Sequence, residues 1–248
     1  MFTDTHAHLY KEYYEDIESV IKRANENGIN KILVAADDLK SCDEVIELGN
    51  KYDNVYACLG IFPENYKDSK SKFKKIVESN ITNNKFIAIG EIGLDYSNPT
   101  NKNKQLALFD YQLSLAEQYK FPVVVHMRDA TEDTIETLKK HNVKGVIHCF
   151  SGSLETANIL TDMGFYFGIG GVMTFTNAKI KNVIKELPLD RIILETDSPF
   201  LAPTPLRGQT NEPKNIKIIA EFLADLKGKT LEEIGQITEE NVHNLFDI

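Results

Sequence analysis

Eight short apolar runs, each followed by a helical pattern, recur along this 248-residue chain, and that alternation limits the fold more than any other feature. The runs are Phe2–Thr5, Lys31–Ala36, Val55–Leu59, Phe86–Gly90, Val123–His126, Gly145–His148, Phe165–Ile169 and Arg191–Thr196. They are rich in β-branched and aromatic residues and nearly continuous in apolar character, as strands covered on both faces are. The intervening stretches repeat apolar residues at helical spacing, and Asn27-Gly28 supplies a C-terminal stop to the first of them. Near the end, Thr230 and Glu233 form a capping box before a helix over Leu231–Phe246. Strand–helix alternation of this kind predicts an α/β fold, a single (β/α)8 TIM barrel over residues 1–248. No Gly/Ser-rich or Pro-rich linker divides it. A doubly wound open sheet is the alternative, but no Gly-x-Gly-x-x-Gly follows the first run.

Side chains of one chemical type fall at the ends of these runs. His6 and His8 follow the first, Glu91 the fourth, His126 the fifth, His148 the sixth and Asp197 the eighth. In a barrel the strand ends share one rim, where active sites are built. His6 and His8 are two apart, so a strand presents both on the same side. Asp4 and Glu195, each two residues back, are expected beneath them as a supporting carboxylate pair. Three protein ligands and a water suit one catalytic zinc, so six suit two metals sharing a carboxylate, with Glu91 the best bridge. Mixed imidazole and carboxylate donors favour zinc, manganese, cobalt or nickel over calcium, and magnesium ranks lower.

Charge narrows the substrate. With 28 Lys+Arg against 37 Asp+Glu, the net charge of −9 argues against capture of nucleic acid by bulk charge. No long apolar segment or leader-like start is present, so no membrane association is expected. Cys42, Cys58 and Cys149 have unrelated spacings, which reads as a reducing cytoplasm. No stable protein partner is implied.

The motifs, taken in order, resemble those of the TatD family of metal-dependent deoxyribonucleases. Thr3-Asp4-Thr5-His6-Ala7-His8-Leu9 is similar to its opening, and Gly90-Glu91-Ile92-Gly93-Leu94-Asp95-Tyr96 to its second signature. Pro122 to Ala130, His148 to Ser153, Glu195 to Pro203 and Pro205 to Pro213 continue the series, so the resemblance spans nearly the whole chain. It implies a TIM-barrel hydrolase that cleaves phosphodiester bonds, with DNA ends or single strands as substrate. It further implies that His6, His8 and Asp197 bind one metal, that His126 and His148 bind the other, and that Glu91 bridges. Asp197 would also accept a proton from the attacking water. A metal-dependent hydrolase of a small ester, amide or phosphoester is the alternative.

One departure stands out. Where the family shows Gly-x-His-Pro, this chain has Gly60-Ile61-Phe62-Pro63-Glu64. Phe62 cannot ligate a metal; Glu64 as a replacement ligand and Phe62 as a base-stacking ring are both conceivable. Arg128 and Arg207 are expected to bind the substrate phosphate, against the simpler reading of loop-fixing salt bridges. Asp95 reads as a turn or supporting residue, Cys149 as a small buried one, and His141 and His243 as surface residues. The lysines of 70–75 read as a solvated helix face.

Overall fold

The chain has the (β/α)8 fold in the computed structural model, which describes residues 1–97 and 101–248. Its strands are β1 (Phe2–Ala7), β2 (Ile29–Ala35), β3 (Val55–Leu59), β4 (Phe86–Asp95), β5 (Val123–Arg128), β6 (Gly145–Ile147), β7 (Tyr166–Ile169) and β8 (Ile192–Leu194). They lie in one sheet in sequence order. An order without a reversal point excludes the doubly wound alternative. The helices are α1 (Ile17–Glu26), α2 (Leu39–Lys51), α3 (Lys70–Asn80), α4 (Lys102–Tyr119), α5 (Thr131–Leu138), α6 (Leu154–Asp162), α7 (Ile180–Glu186), α8 (Ile216–Lys227) and α9 (Leu231–Phe246).

Contacts group the described residues into two compact units. The first comprises Met1–Val34, Cys149–Thr161 and Tyr166–Ile248. Here β1 pairs with β2, β7 pairs with β8, and a parallel bridge joins Ala7 to Ser198. Helix α8 buries Ile216, Ile219, Ala220 and Leu223, the one-sided stripe that a 3.6-residue period produces. Gly228 ends it at φ 62°, a left-handed stop that costs glycine little. Thr230 and Glu233 make the expected capping box at the start of α9.

The second unit comprises Ala35–His148 and Asp162–Phe165, with β3, β4, β5 and β6 paired in parallel succession. Its core holds Leu59, Ile89, Ile92, Val123, Val124 and Val125, all at or near zero exposure. Helix α4 packs Leu108, Phe109 and Leu113 inward, together with two buried glutamines, Gln105 and Gln112. Each glutamine makes a two-bond clamp on one backbone position. Gln105 accepts from the Asp95 N–H at 2.9 Å and donates to its carbonyl at 2.8 Å. Gln112 does the same at Ile61, at 2.7 and 3.0 Å. Paired this way, a buried amide avoids the cost of unsatisfied polar atoms.

The expected bounds of β3 and α9 agree with the structure, whereas β4 continues from Gly90 to Asp95. Glu91 therefore lies within a strand, not at its end. The extension pairs Gly93 with His126 and Asp95 with Arg128. It depends on Gly93, whose φ of 141° disfavours other residues and whose α-carbon faces the His126 main chain so closely that any Cβ would collide with its carbonyl. Gly93→Ala should destabilise the protein by about 3 kcal/mol, combining overpacking with backbone strain. A lowered urea midpoint checks this; an unchanged midpoint contradicts it.

Candidate functional site

Three of the expected ligands meet in the first unit. The Nε2 atoms of His6 and His8 face each other at 3.1 Å. Asp197 Oδ1 lies 3.8 Å from the first and 3.6 Å from the second. The histidines are almost wholly buried, while the Asp197 side chain keeps 15% exposure and so a path to solvent. Metal–nitrogen bonds of about 2.0–2.1 Å in a tetrahedral array would place two ring nitrogens about 3.3 Å apart. The observed spacing is close to that, so this donor set fits a divalent metal. His8 Nδ1 lies 3.3 Å from the Tyr10 hydroxyl, which orients the ring from behind.

Main-chain hydrogen bonds place these side chains. The Asp197 N–H donates to the His6 carbonyl at 2.9 Å, and the His8 N–H donates to the Ser198 carbonyl at 2.7 Å. Asp197 itself sits at φ 56°, a left-handed conformation that aspartate tolerates better than most residues. Asp4 supports the ligands through the main chain: it accepts from the N–H of His6 and from the N–H and hydroxyl of Thr196. Burial pushes its carboxyl up to about 8, against those hydrogen bonds, which favour the charged form. Glu195 accepts from the Cys149 N–H at 2.5 Å, and its carboxylate occupies the space left by the missing side chain of Gly168.

Asn211 is the residue whose role in this unit the sequence hid. Fully buried, it donates from Nδ2 to the carbonyls of Thr196 and Phe200, at 2.9 and 2.7 Å. Its Oδ1 accepts from the Glu212 N–H and from Asn215, and its carbonyl accepts from the Tyr14 hydroxyl. The turn that carries Asp197 is thereby tied down on both sides. The only sequence signal is its place in the Pro205 to Pro213 motif. Glu212 pairs with Arg23 through two hydrogen bonds of 2.8 and 3.0 Å and holds the same segment from outside.

The other three expected ligands meet in the second unit. Glu91 Oε1 lies 2.8 Å from His126 Nδ1 and 3.2 Å from His148 Nε2. The two imidazole rings stack at 5.8 Å. His126 Nε2 faces Asp95 Oδ2 at 3.0 Å. A histidine that turns one nitrogen to a candidate metal position and the other to a carboxylate matches the carboxylate–histidine–metal arrangement. Burial works against a charged His126, but the bonds to Asp95 and Glu91 outweigh it and raise its pKa. The hydrogen bond from His126 in turn holds Asp95 far below the usual carboxylate range despite burial. The cluster thus stabilises positive charge, which a divalent metal would supply. Asp95 is more than a turn residue, and the Gln105 clamp fixes the backbone that presents it.

The remaining expectations divide. Arg128 leaves 63% of its side chain exposed and approaches Asp95 at 3.8 Å. Arg207 is exposed and stacks over the Phe175 ring at 3.9 Å, beside a cavity of about 400 Å³. Phe62 packs its ring against His126 at 4.9 Å, which accounts for an apolar residue there. Glu64 is exposed. Cys149 is half-buried at φ 46°, beyond the end of β6, where strand alternation no longer applies. His141 is less exposed than expected, held by Asp110 and Glu117 at 3.0 and 3.3 Å.

Two substitutions test these supports. Asp95→Ala should weaken one metal-binding step roughly 10–100-fold by releasing His126; titration calorimetry with Mn²⁺ checks it, and unchanged affinity contradicts it. Asn211→Ala strands the buried Thr196 carbonyl and the part-buried Phe200 carbonyl and should cost about 3 kcal/mol, read by urea denaturation.

The chain is similar to known proteins along nearly its whole length. The family profile described as TatD related DNase matches residues 3–247. The uncharacterized metal-dependent hydrolase YabD of Bacillus subtilis is 42% identical, covering all of both chains. The crystal structure of YjjV, a TatD homologue from Escherichia coli, superposes with a TM-score of 0.93 at 32% identity, covering 100% of this chain and 98% of that one. A TatD family hydrolase from Entamoeba histolytica gives 0.89 at 27%, covering 99% and 97%. With family motifs, fold and clustered donors in agreement, the chain belongs to the TatD-related family of metal-dependent hydrolases.

Proposed function

We propose that this hydrolase cleaves phosphodiester bonds in DNA, at ends or in single strands, within the cytoplasm. The observation that carries the reading is the facing of His6 Nε2, His8 Nε2 and Asp197 Oδ1 within 3.8 Å of one another. The family description supplies the substrate class. The absence of disulfides at Cys42, Cys58 and Cys149 suits a reducing compartment. No helix among the described residues is long and apolar enough to cross a membrane.

In this reading His6, His8 and Asp197 hold one metal, and Glu91, His126 and His148 hold another. Manganese, zinc, cobalt or nickel fits the mixed donors better than magnesium. Divalent ions there would lower the pKa of water and offset phosphoryl charge. Asp197, partly exposed, accepts the proton of the attacking water. Asp95 keeps His126 in the tautomer that leaves Nδ1 available for ligation. Arg128 and Arg207, with exposed guanidinium groups, bind the phosphate.

Metal analysis beside a Mn²⁺-stimulated nuclease assay on single-stranded and duplex ends tests the reading. We expect about two metals per chain and cleavage favouring single strands. Asp197→Asn should lower kcat at least ~100-fold, the lower range for losing a general base. Hydrolysis of small esters, amides or phosphoesters without DNA cleavage would replace the nuclease reading. Undiminished turnover by Asp197→Asn would refute the role of Asp197.

A further inference from the structure

Beside the first ligand trio stands a set of aromatic rings of which the proposed hydrolysis uses only the Tyr10 hydroxyl. Phe200 exposes 47% of its surface. Its ring lies 6.1 Å from His8 and 5.5 Å from Tyr13. Tyr13 stacks on Tyr10 at 5.7 Å and 26°, and the Tyr10 hydroxyl approaches His8 Nδ1. A solitary exposed phenylalanine needs no explanation. This one has a main chain fixed on both sides. Its N–H donates to the Asp197 carbonyl at 2.8 Å, and its own carbonyl accepts from Asn211 at 2.7 Å. The backbone that carries the ring is therefore held next to a candidate metal ligand, and the ring lies against His8 and Tyr13 while much of the residue stays open to solvent.

We propose that Phe200, backed by Tyr13 and Tyr10, is a stacking platform for an unpaired base of the strand being cut. The proposal rests on the nuclease reading and names how the strand is held. A chain of net charge −9 gains little from broad attraction to phosphates, which leaves part of the affinity to contacts that charge does not govern. Base–aromatic stacking is such a contact, and it tolerates any base because each has a π-face. It also selects among substrates. Bases inside a duplex are already stacked on their neighbours, so only frayed ends and single strands present a free face.

The test uses the Mn²⁺-loaded enzyme and two single-stranded oligonucleotides, one intact and one abasic beside the cleaved bond. Wild type should favour the intact strand in kcat/KM roughly tenfold, within the range for one stacked base. In Phe200→Ala that preference should collapse through a higher KM on the intact strand, while Phe200→Trp should keep it. Equal losses on both strands in Phe200→Ala, or a preserved preference, would overturn the platform alone. Absence of metal-stimulated cleavage of either strand by wild type would overturn the nuclease reading, and the platform with it.

Discussion

Two main-chain hydrogen bonds make the first ligand trio possible. The carbonyl of His6 receives the Asp197 N–H, and the N–H of His8 reaches the Ser198 carbonyl. They continue the parallel pairing of strands past the last residue of β8, as the Ala7–Ser198 bridge records. Side chains with few rotamers then project from backbone that is already fixed. Asp4 and Asn211 hydrogen-bond Thr196 from two sides, which fixes that backbone before any metal arrives. Such preorganisation would let a metal bind without first ordering its ligands.

The second trio is arranged by the same logic with different parts. Helix α4 contributes Gln105, which clamps the Asp95 backbone; Asp95 orients His126; His126 and His148 both face Glu91. Each step replaces a costly unpaired buried group with a hydrogen-bonded one. The carboxylates so engaged account for part of the acidic balance of the chain. The net charge thus speaks against broad capture of duplex DNA, and it leaves open a nuclease whose positive charge arrives as divalent metal.

Much of this was legible beforehand, for identifiable reasons. Continuous apolar runs such as Val123-Val124-Val125 mark strands because water is excluded from both faces. The histidines stood out because polar groups at strand ends need partners. The apolar run stops at Gly90 whereas β4 reaches Asp95, because pairing with β5 carries the polar and glycine positions beyond it. Asn211, Gln105 and Gln112 were invisible as supports, since a buried amide and an exposed one are the same letter until its partners are known. Phe62 stands out in the sequence as a missing ligand and a candidate base-stacking ring, and its ring packs on His126.

Anomalous scattering from crystals soaked in Mn²⁺ tests the central claim most directly. The account predicts one peak coordinated by His6, His8 and Asp197, and a second coordinated by Glu91, His126 and His148. No peak at either trio, with manganese bound only to surface carboxylates, would contradict it.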